Sequence, residues 1–169
     1  LGVRDLNYSW YISDINSYLS KLDEIIKKYD NVIFIGISSG GFASLLYGKI
    51  LKVNKIISFS PQTNISESFL NEIKDRRFDN LLQQKVYNPW NNRYYDLNNF
   101  EKIKEQEINI IYSSTNKYDE QHIKFIENSC SKIIDIPDIP NNKYYSYGHK
   151  VAKFLKEQNK LIHYLEKYI

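Results

Sequence analysis

Apolar residues at Ile15, Tyr18, Leu19, Leu22, Ile25 and Ile26 recur at the spacing of one helix face and predict an amphipathic helix over 14–29. The pattern then changes. Val32 to Ile37 is a continuous apolar run, the mark of a parallel strand buried on both faces. Small and apolar residues follow from Gly41 to Leu51 and predict a second helix. Further strands are expected at Lys55 to Phe59, Glu107 to Ser113 and Lys132 to Ile136, and residues 1–4 read as the tail of another. Helices are expected at Asp119 to Asn128, Lys150 to Glu157 and around Leu161 to Leu165. Strands alternating with helices imply right-handed βαβ crossovers, hence an α/β domain with a mostly parallel sheet and helices on both faces. Ligands in such sheets bind beyond the carboxyl ends of the strands.

Residues 61–106 break this rhythm. Phe69, Phe78, Trp90, Tyr94, Tyr95 and Phe100 are interleaved there with Arg76, Arg77, Lys85 and Arg93. We read the segment as a short lid-like insertion within a single domain spanning 1–169. Trp90, Arg93, Tyr94 and Tyr95 are candidates for the substrate pocket, since aromatic faces beside basic groups suit a sugar. The competing reading is that the aromatics pack the insertion onto the sheet.

The chemistry is concentrated where the first strand ends. Gly36, Ser38 and Gly40 form G-x-S-x-G between a strand and a helix, the setting of a nucleophile elbow. The serine takes a strained conformation there. Gly36 and Gly40 lack a Cβ, so strand and helix can approach closely. The helix N-terminus directs free N–H groups at the place where an oxyanion would form. A glycine-rich turn can also cradle phosphate, but neither G-x-G-x-x-G nor a Walker lysine is present.

A serine nucleophile needs a base, and the base an orienting acid. Of the three histidines, His122 and His163 fall within expected helices. His149 follows Tyr147-Gly148 in a loop beyond the last strand, where catalytic groups tend to sit. For the acid, Asp119 lies after the strand 107–113, at or near the N-cap of the next helix. Asp135, Asp138 and Glu120 are its rivals.

The order Ser38, Asp119, His149, each after a different strand, resembles the α/β-hydrolase superfamily. Asp119 lies 81 residues after Ser38, and His149 a further 30 on, which leaves room for a modest insertion. The resemblance covers 31–169 and implies an α/β-hydrolase fold, minimal or N-terminally incomplete. It also implies an acyl-enzyme mechanism, with an oxyanion hole from the Ser39 N–H and an N–H of the early loop Asn7 to Trp10, represented by Tyr8. The phrases Arg4-Asp5-Leu6-Asn7-Tyr8-Ser9-Trp10-Tyr11 and Ser58-Phe59-Ser60-Pro61-Gln62-Thr63 resemble small α/β-hydrolase proteins of bacterial surface-polysaccharide synthesis. Some of those are similar to capsule O-acetyltransferases. The expectation is therefore a serine esterase acting on a short-chain (acetyl) ester of a carbohydrate. The alternatives are a polysaccharide O-acetyltransferase using the same triad, or a degenerate hydrolase fold serving as a binding or scaffold subunit.

Composition narrows the partners. The chain has 169 residues, 42% apolar and 25% charged, as suits one core. A net charge of +3 from scattered lysines gives no footprint for nucleic acid, though it is compatible with an anionic glycan. No apolar run approaches the roughly 18 residues of a membrane span. His, Cys and carboxylates show no metal-ligand spacing, and no cofactor is expected. The single cysteine, Cys130, excludes an internal disulfide and favours a reducing, cytoplasmic setting. The chain opens at Leu1 and holds no methionine, so we expect it to start downstream of the true N-terminus, with any signal peptide or further domain outside it.

Overall fold

The computed structural model describes residues 1–88 and 90–168. Its centre is a four-stranded parallel sheet of β1 (Ile33–Ile37), β2 (Lys55–Phe59), β3 (Glu107–Tyr112) and β4 (Lys132–Asp135), in the order β1-β2-β3-β4. Alternation along the central strands divides the core in two. Ile56 of β2 and Ile108 and Ile110 of β3 face one apolar cluster, while Ile57, Phe59 and Ile111 face another. The first cluster takes in α1 (Ile15–Ile26), α2 (Ser39–Ile50) and α5 (Lys117–Ile126). The second takes in α6 (Val151–Glu157) and α7 (Leu161–Tyr168). Helices thus cover both faces of the sheet.

The differences from expectation have physical causes. β1 was expected to be buried on both faces, yet Ile35 and Ile37 are 48% and 53% exposed. Among the described residues β1 pairs with β2 on one side, which makes it an edge strand, and the fully buried apolar runs belong to β2 and β3. Residues 1–4 are in no strand. The helix after β3 starts at Lys117, two residues earlier than expected, because Asn116 caps it.

The 61–106 segment carries two short helices, α3 (Glu67–Glu72) and α4 (Asp79–Lys85), and 3-10 turns at Asn92–Tyr94 and Leu97–Asn99. An antiparallel bridge from Asn64 to Asp96 closes it on itself. Phe69, Leu70, Leu82 and Leu97 sink into the first cluster. The buried Lys49 Nζ of α2 donates to the Leu97 carbonyl at 3.1 Å, tying the segment to the elbow helix.

Candidate active site

Sterics build the turn after β1. Ser38 has φ 55° and ψ −119°, outside the usual regions for an L-residue. Its N–H donates to the Phe59 carbonyl at 2.8 Å, fixing the turn to β2. A Cβ on Gly36 would lie 1.9 Å from the Gly40 carbonyl oxygen, and one on Gly41 would lie 2.6 Å from Ser58 Oγ. A Cβ on Gly40 would meet only Tyr11 Oη, at an ordinary 3.8 Å. The close approach expected of Gly36 and Gly40 is therefore made by Gly36 and Gly41, with Gly40 contributing its carbonyl. α2 begins at Ser39, so its unpaired first-turn N–H groups adjoin Ser38 directly.

The other half of the site is assembled from β3 and β4. Asn116 Oδ1 accepts the N–H groups of Tyr118 and Asp119, both at 3.1 Å, and caps α5. Asp119 is consequently not the cap but a first-turn residue, fully buried, with its carboxylate free for other partners. Asn116 Nδ2 donates to the Ser146 carbonyl at 3.3 Å, linking the acid helix to the histidine loop. That loop turns through three successive positive φ values, 50° at Ser146, 55° at Tyr147 and 95° at Gly148. It presses close to α5: a Cβ on Gly148 would lie 3.0 Å from the Asn116 nitrogen.

These loops bring Ser38, His149 and Asp119 together. Ser38 Oγ is 2.9 Å from His149 Nε2, and His149 Nδ1 is 2.7 Å from Asp119 Oδ2. A buried carboxylate accepts, so Nδ1 carries the proton and Nε2 offers its lone pair to the serine hydroxyl. The rivals lie elsewhere. Asp135 Oδ1 accepts the Ser114 N–H at 2.8 Å, Glu120 pairs with Lys124 at 2.8 Å, and Asp138 is exposed. His163 is exposed, its ring set against Tyr164.

Asp119 belongs to a buried charge cluster. Its Oδ1 accepts from Arg77 Nη1 at 2.8 Å. Arg77 is in turn held by Asp75, through Nε at 2.9 Å and Nη2 at 2.7 Å. His122 accepts the Thr63 N–H at Nδ1, 3.1 Å away, and its Nε2 makes a long 3.5 Å contact with Asp75. Burial pushes the His122 imidazole below its ordinary range and keeps it neutral. Burial alone would raise Asp75 and Asp119. Polar partners outweigh it, His122 and Arg77 for Asp75 and His149 and Arg77 for Asp119, and both carboxylates lie below their usual range.

The early loop reaches the nucleophile through Gln62. Tyr8, Trp10 and Tyr11 all have positive φ, and the Asp5 carboxylate accepts the N–H groups of Asn7, Ser9 and Tyr11 at 2.6–3.1 Å. Trp10 Nε1 donates to Gln62 Oε1 at 3.3 Å, and Gln62 Nε2 donates to Ser38 Oγ at 3.3 Å. Tyr8 itself is exposed.

The candidate pocket residues of the insertion part company. Trp90 is 88% exposed, and Arg93 lies over the ring of Tyr94. Tyr94 and Tyr95 are buried, the former stacked on Phe100 and the latter bonded through its hydroxyl to Val86 and Asn88. Among the described residues no group of three or more His, Cys, Asp and Glu could hold a metal, and no helix is long and apolar enough to cross a membrane. Sequence reasoning passed over Asn116, Gln62 and Arg77 as site residues. Asn three positions before Asp at a helix start is a readable cap signature. Arg77 lies 42 residues from Asp119, and no local pattern marks it.

No protein-family profile matches the sequence, and no curated protein matches it. Solved structures do match. The capsule O-acetyltransferase of Neisseria meningitidis serogroup A is 20% identical with a TM-score of 0.62, the match covering 91% of this chain and 67% of that one. An α/β hydrolase enzyme from the metagenome of Mar Chica lagoon sediments, Morocco, is 19% identical with a TM-score of 0.60, over 97% of this chain and 75% of that one. Acetyl xylan esterase 1 from a Thermoanaerobacterium species is 18% identical with a TM-score of 0.53, over 86% and 51% respectively. Sheet order, helices on both faces and these likenesses agree: the chain has the α/β-hydrolase fold.

Proposed function

We propose that the protein is a serine esterase whose nucleophile, base and orienting acid are Ser38, His149 and Asp119. The observation that carries this reading is the continuous relay of 2.9 Å and 2.7 Å bonds from the Ser38 hydroxyl through His149 to a fully buried carboxylate. His149 Nε2 takes the hydroxyl proton as Ser38 Oγ attacks the ester carbonyl. Asp119 holds the imidazole tautomer and stabilises the imidazolium. The imidazolium returns the proton to the leaving alcohol, and water activated by the same nitrogen then releases the acid from the acyl-enzyme. The tetrahedral oxyanion is held by the N–H of Ser39 at the start of α2 and by the Tyr8 N–H, which lies outside the set that Asp5 takes up. Removing one such donor costs about 3 kcal/mol of barrier.

The substrate class we propose is a short acyl group, acetyl foremost, on a carbohydrate hydroxyl. Two similar structures are named for acetyl chemistry on glycans, a capsule O-acetyltransferase and an acetyl xylan esterase. Of the four candidate pocket residues, Trp90 remains open to a sugar, whereas Arg93 is bonded to the Tyr94 hydroxyl and the hydroxyl of Tyr95 is taken up within the insertion. The likeness to the capsule enzyme favours a second reading, in which a sugar hydroxyl in place of water resolves the acyl-enzyme.

Active-site titration with a fluorophosphonate tests the nucleophile: labelling of the wild type, abolished in Ser38→Ala, is expected. An unlabelled wild type would turn the reading to a non-catalytic scaffold. A p-nitrophenyl ester series tests the acyl group, with turnover expected to fall beyond about four carbons because overfilling a packed cavity costs about 1–3 kcal/mol. Release of free acetate with added sugar present separates hydrolysis from transfer.

A further inference from the structure

The geometry points to Arg77 as a positioning residue for the Ser38–His149–Asp119 relay: supplied by the insertion, it fixes the Asp119 carboxylate and offsets its charge beside His149. This rests on the esterase reading above. The two oxygens of Asp119 are divided between two partners, Oδ2 to His149 Nδ1 at 2.7 Å and Oδ1 to Arg77 Nη1 at 2.8 Å. A carboxylate held at both oxygens cannot rotate away from the imidazole. Arg77 is itself immobilised. Its Nε lies 2.9 and 3.1 Å from the two Asp75 oxygens, and its backbone N–H donates to Asp75 Oδ1 at 3.1 Å. Its guanidinium carbon lies 5.4 Å from the Phe78 ring centre and 5.0 Å from that of Tyr118.

Charge counting gives the arrangement its function. The charged and titratable groups gathered at Asp119 and His149 are Arg77 and Asp75 from between α3 and α4, and His122 from α5; Ser38 of the elbow and the neutral Asn116 complete the surroundings. With His122 neutral, Asp75, Asp119 and Arg77 sum to one net negative charge. When His149 accepts the serine proton, the buried set becomes neutral. Without Arg77 the Asp119 carboxylate would face the imidazole uncompensated, with Asp75 left unpaired behind it, and the imidazolium would be overstabilised. Through Arg77 the insertion thereby takes part in the chemistry from behind, at a residue that does not touch substrate.

The test is the pH dependence of kcat/KM for p-nitrophenyl acetate, between pH 4 and 9, for wild type, Arg77→Lys, Arg77→Gln and Asp75→Asn/Arg77→Gln. The double variant removes both opposite buried charges together, so that no orphan charge is left by the missing arginine at Asp75. Arg77→Gln is expected to move the acid limb up by about one pH unit and to lower kcat roughly 10- to 100-fold, with KM unchanged. The double variant should shift in the same direction by less. Arg77→Lys keeps the cation and loses the fork, so its limb should stay at the wild-type position with kcat partly restored. A reactive wild type and variants with superimposable acid limbs, however low their plateaus, would reduce Arg77 to a structural brace and overturn the inference. A wild type inactive at every pH and unlabelled by fluorophosphonate would instead overturn the esterase reading itself.

Discussion

The two halves of the site are built by different means. On the nucleophile side, Ser38 is set by contacts within one βαβ unit: Gly36 against the Gly40 carbonyl four positions on, and Gly41 against the adjoining strand β2. On the acid–base side, nothing local suffices. His149 is 30 residues from Asp119 and 111 from Ser38, and Asp119 depends on an arginine 42 residues upstream. The first half is a matter of excluded volume in one supersecondary unit. The second is a polar network drawn from several loops. Damage to the first should act as a clash, and damage to the second as a change in charge and orientation.

The largest effect tests whether both halves serve one reaction. Ser38→Ala is expected to lower kcat by roughly 10⁶-fold with the fold intact, measured by ester turnover alongside circular dichroism. Asp119→Asn keeps the shape but reverses the polarity at His149 Nδ1, and kcat at neutral pH should drop by about 10⁴-fold. Near-normal turnover in that variant would remove Asp119 from the mechanism.

Next comes the steric half. Gly36→Ala forces a Cβ to 1.9 Å from a backbone carbonyl and should destabilise the protein by about 3 kcal/mol or more in urea unfolding. Gly40→Ala, whose Cβ meets nothing nearer than 3.8 Å, should cost no more than about 1 kcal/mol. Equal losses would refute the assignment of the tight contact. On the polar half, Asn116→Ala removes a helix cap and the link to the histidine loop. It should cost about 1 kcal/mol of stability and lower kcat while leaving KM alone.

The smallest effect is in the pH dependence of stability. The buried His122 has a pKa depressed from 6.5, so below pH 6.5 the unfolded chain binds a proton that the folded chain refuses, and stability falls. Asp75 and Asp119 are depressed from 3.8, so a second loss begins as the unfolded carboxylates protonate near 3.8 and ends below their folded values. Melting temperature against pH should show both steps, and His122→Asn should remove the first and shrink the second, because His122 helps hold Asp75 down.

The contrast between the halves also explains what could be read from the chain. Lys55–Phe59 is a strand with the bounds expected, because a short apolar run between turns has few alternatives. G-x-S-x-G marks Ser38 because the elbow is local. β1 misled: its apolar run is that of an interior strand, while pairing on one side leaves Ile35 and Ile37 half exposed. Asp119 was read near the cap because Asp favours that position, and Asn116 holds it instead. Tyr94 and Tyr95 have a composition that suits a sugar site as well as a core, and only packing separates the two. Arg77 was invisible as a partner of Asp119 because no periodicity connects a turn after a six-residue helix to the first turn of α5.

In this sheet, order in space repeats order along the chain, β1-β2-β3-β4. During synthesis the amino-terminal elements emerge first. The elbow is complete once β1, α2 and β2 have docked, but at that stage Ser38 is only an alcohol in a tight turn. The residue paired with its hydroxyl arrives 111 positions later, in a loop held down by α6 and the far side of the sheet. On the proposed reading, a nascent chain, a truncated one, or one whose carboxyl-terminal helices have come undocked would carry an inert serine. On the esterase reading proposed above, reactivity toward esters would be acquired only once that loop has docked, so labelling of Ser38 would report complete folding of the domain.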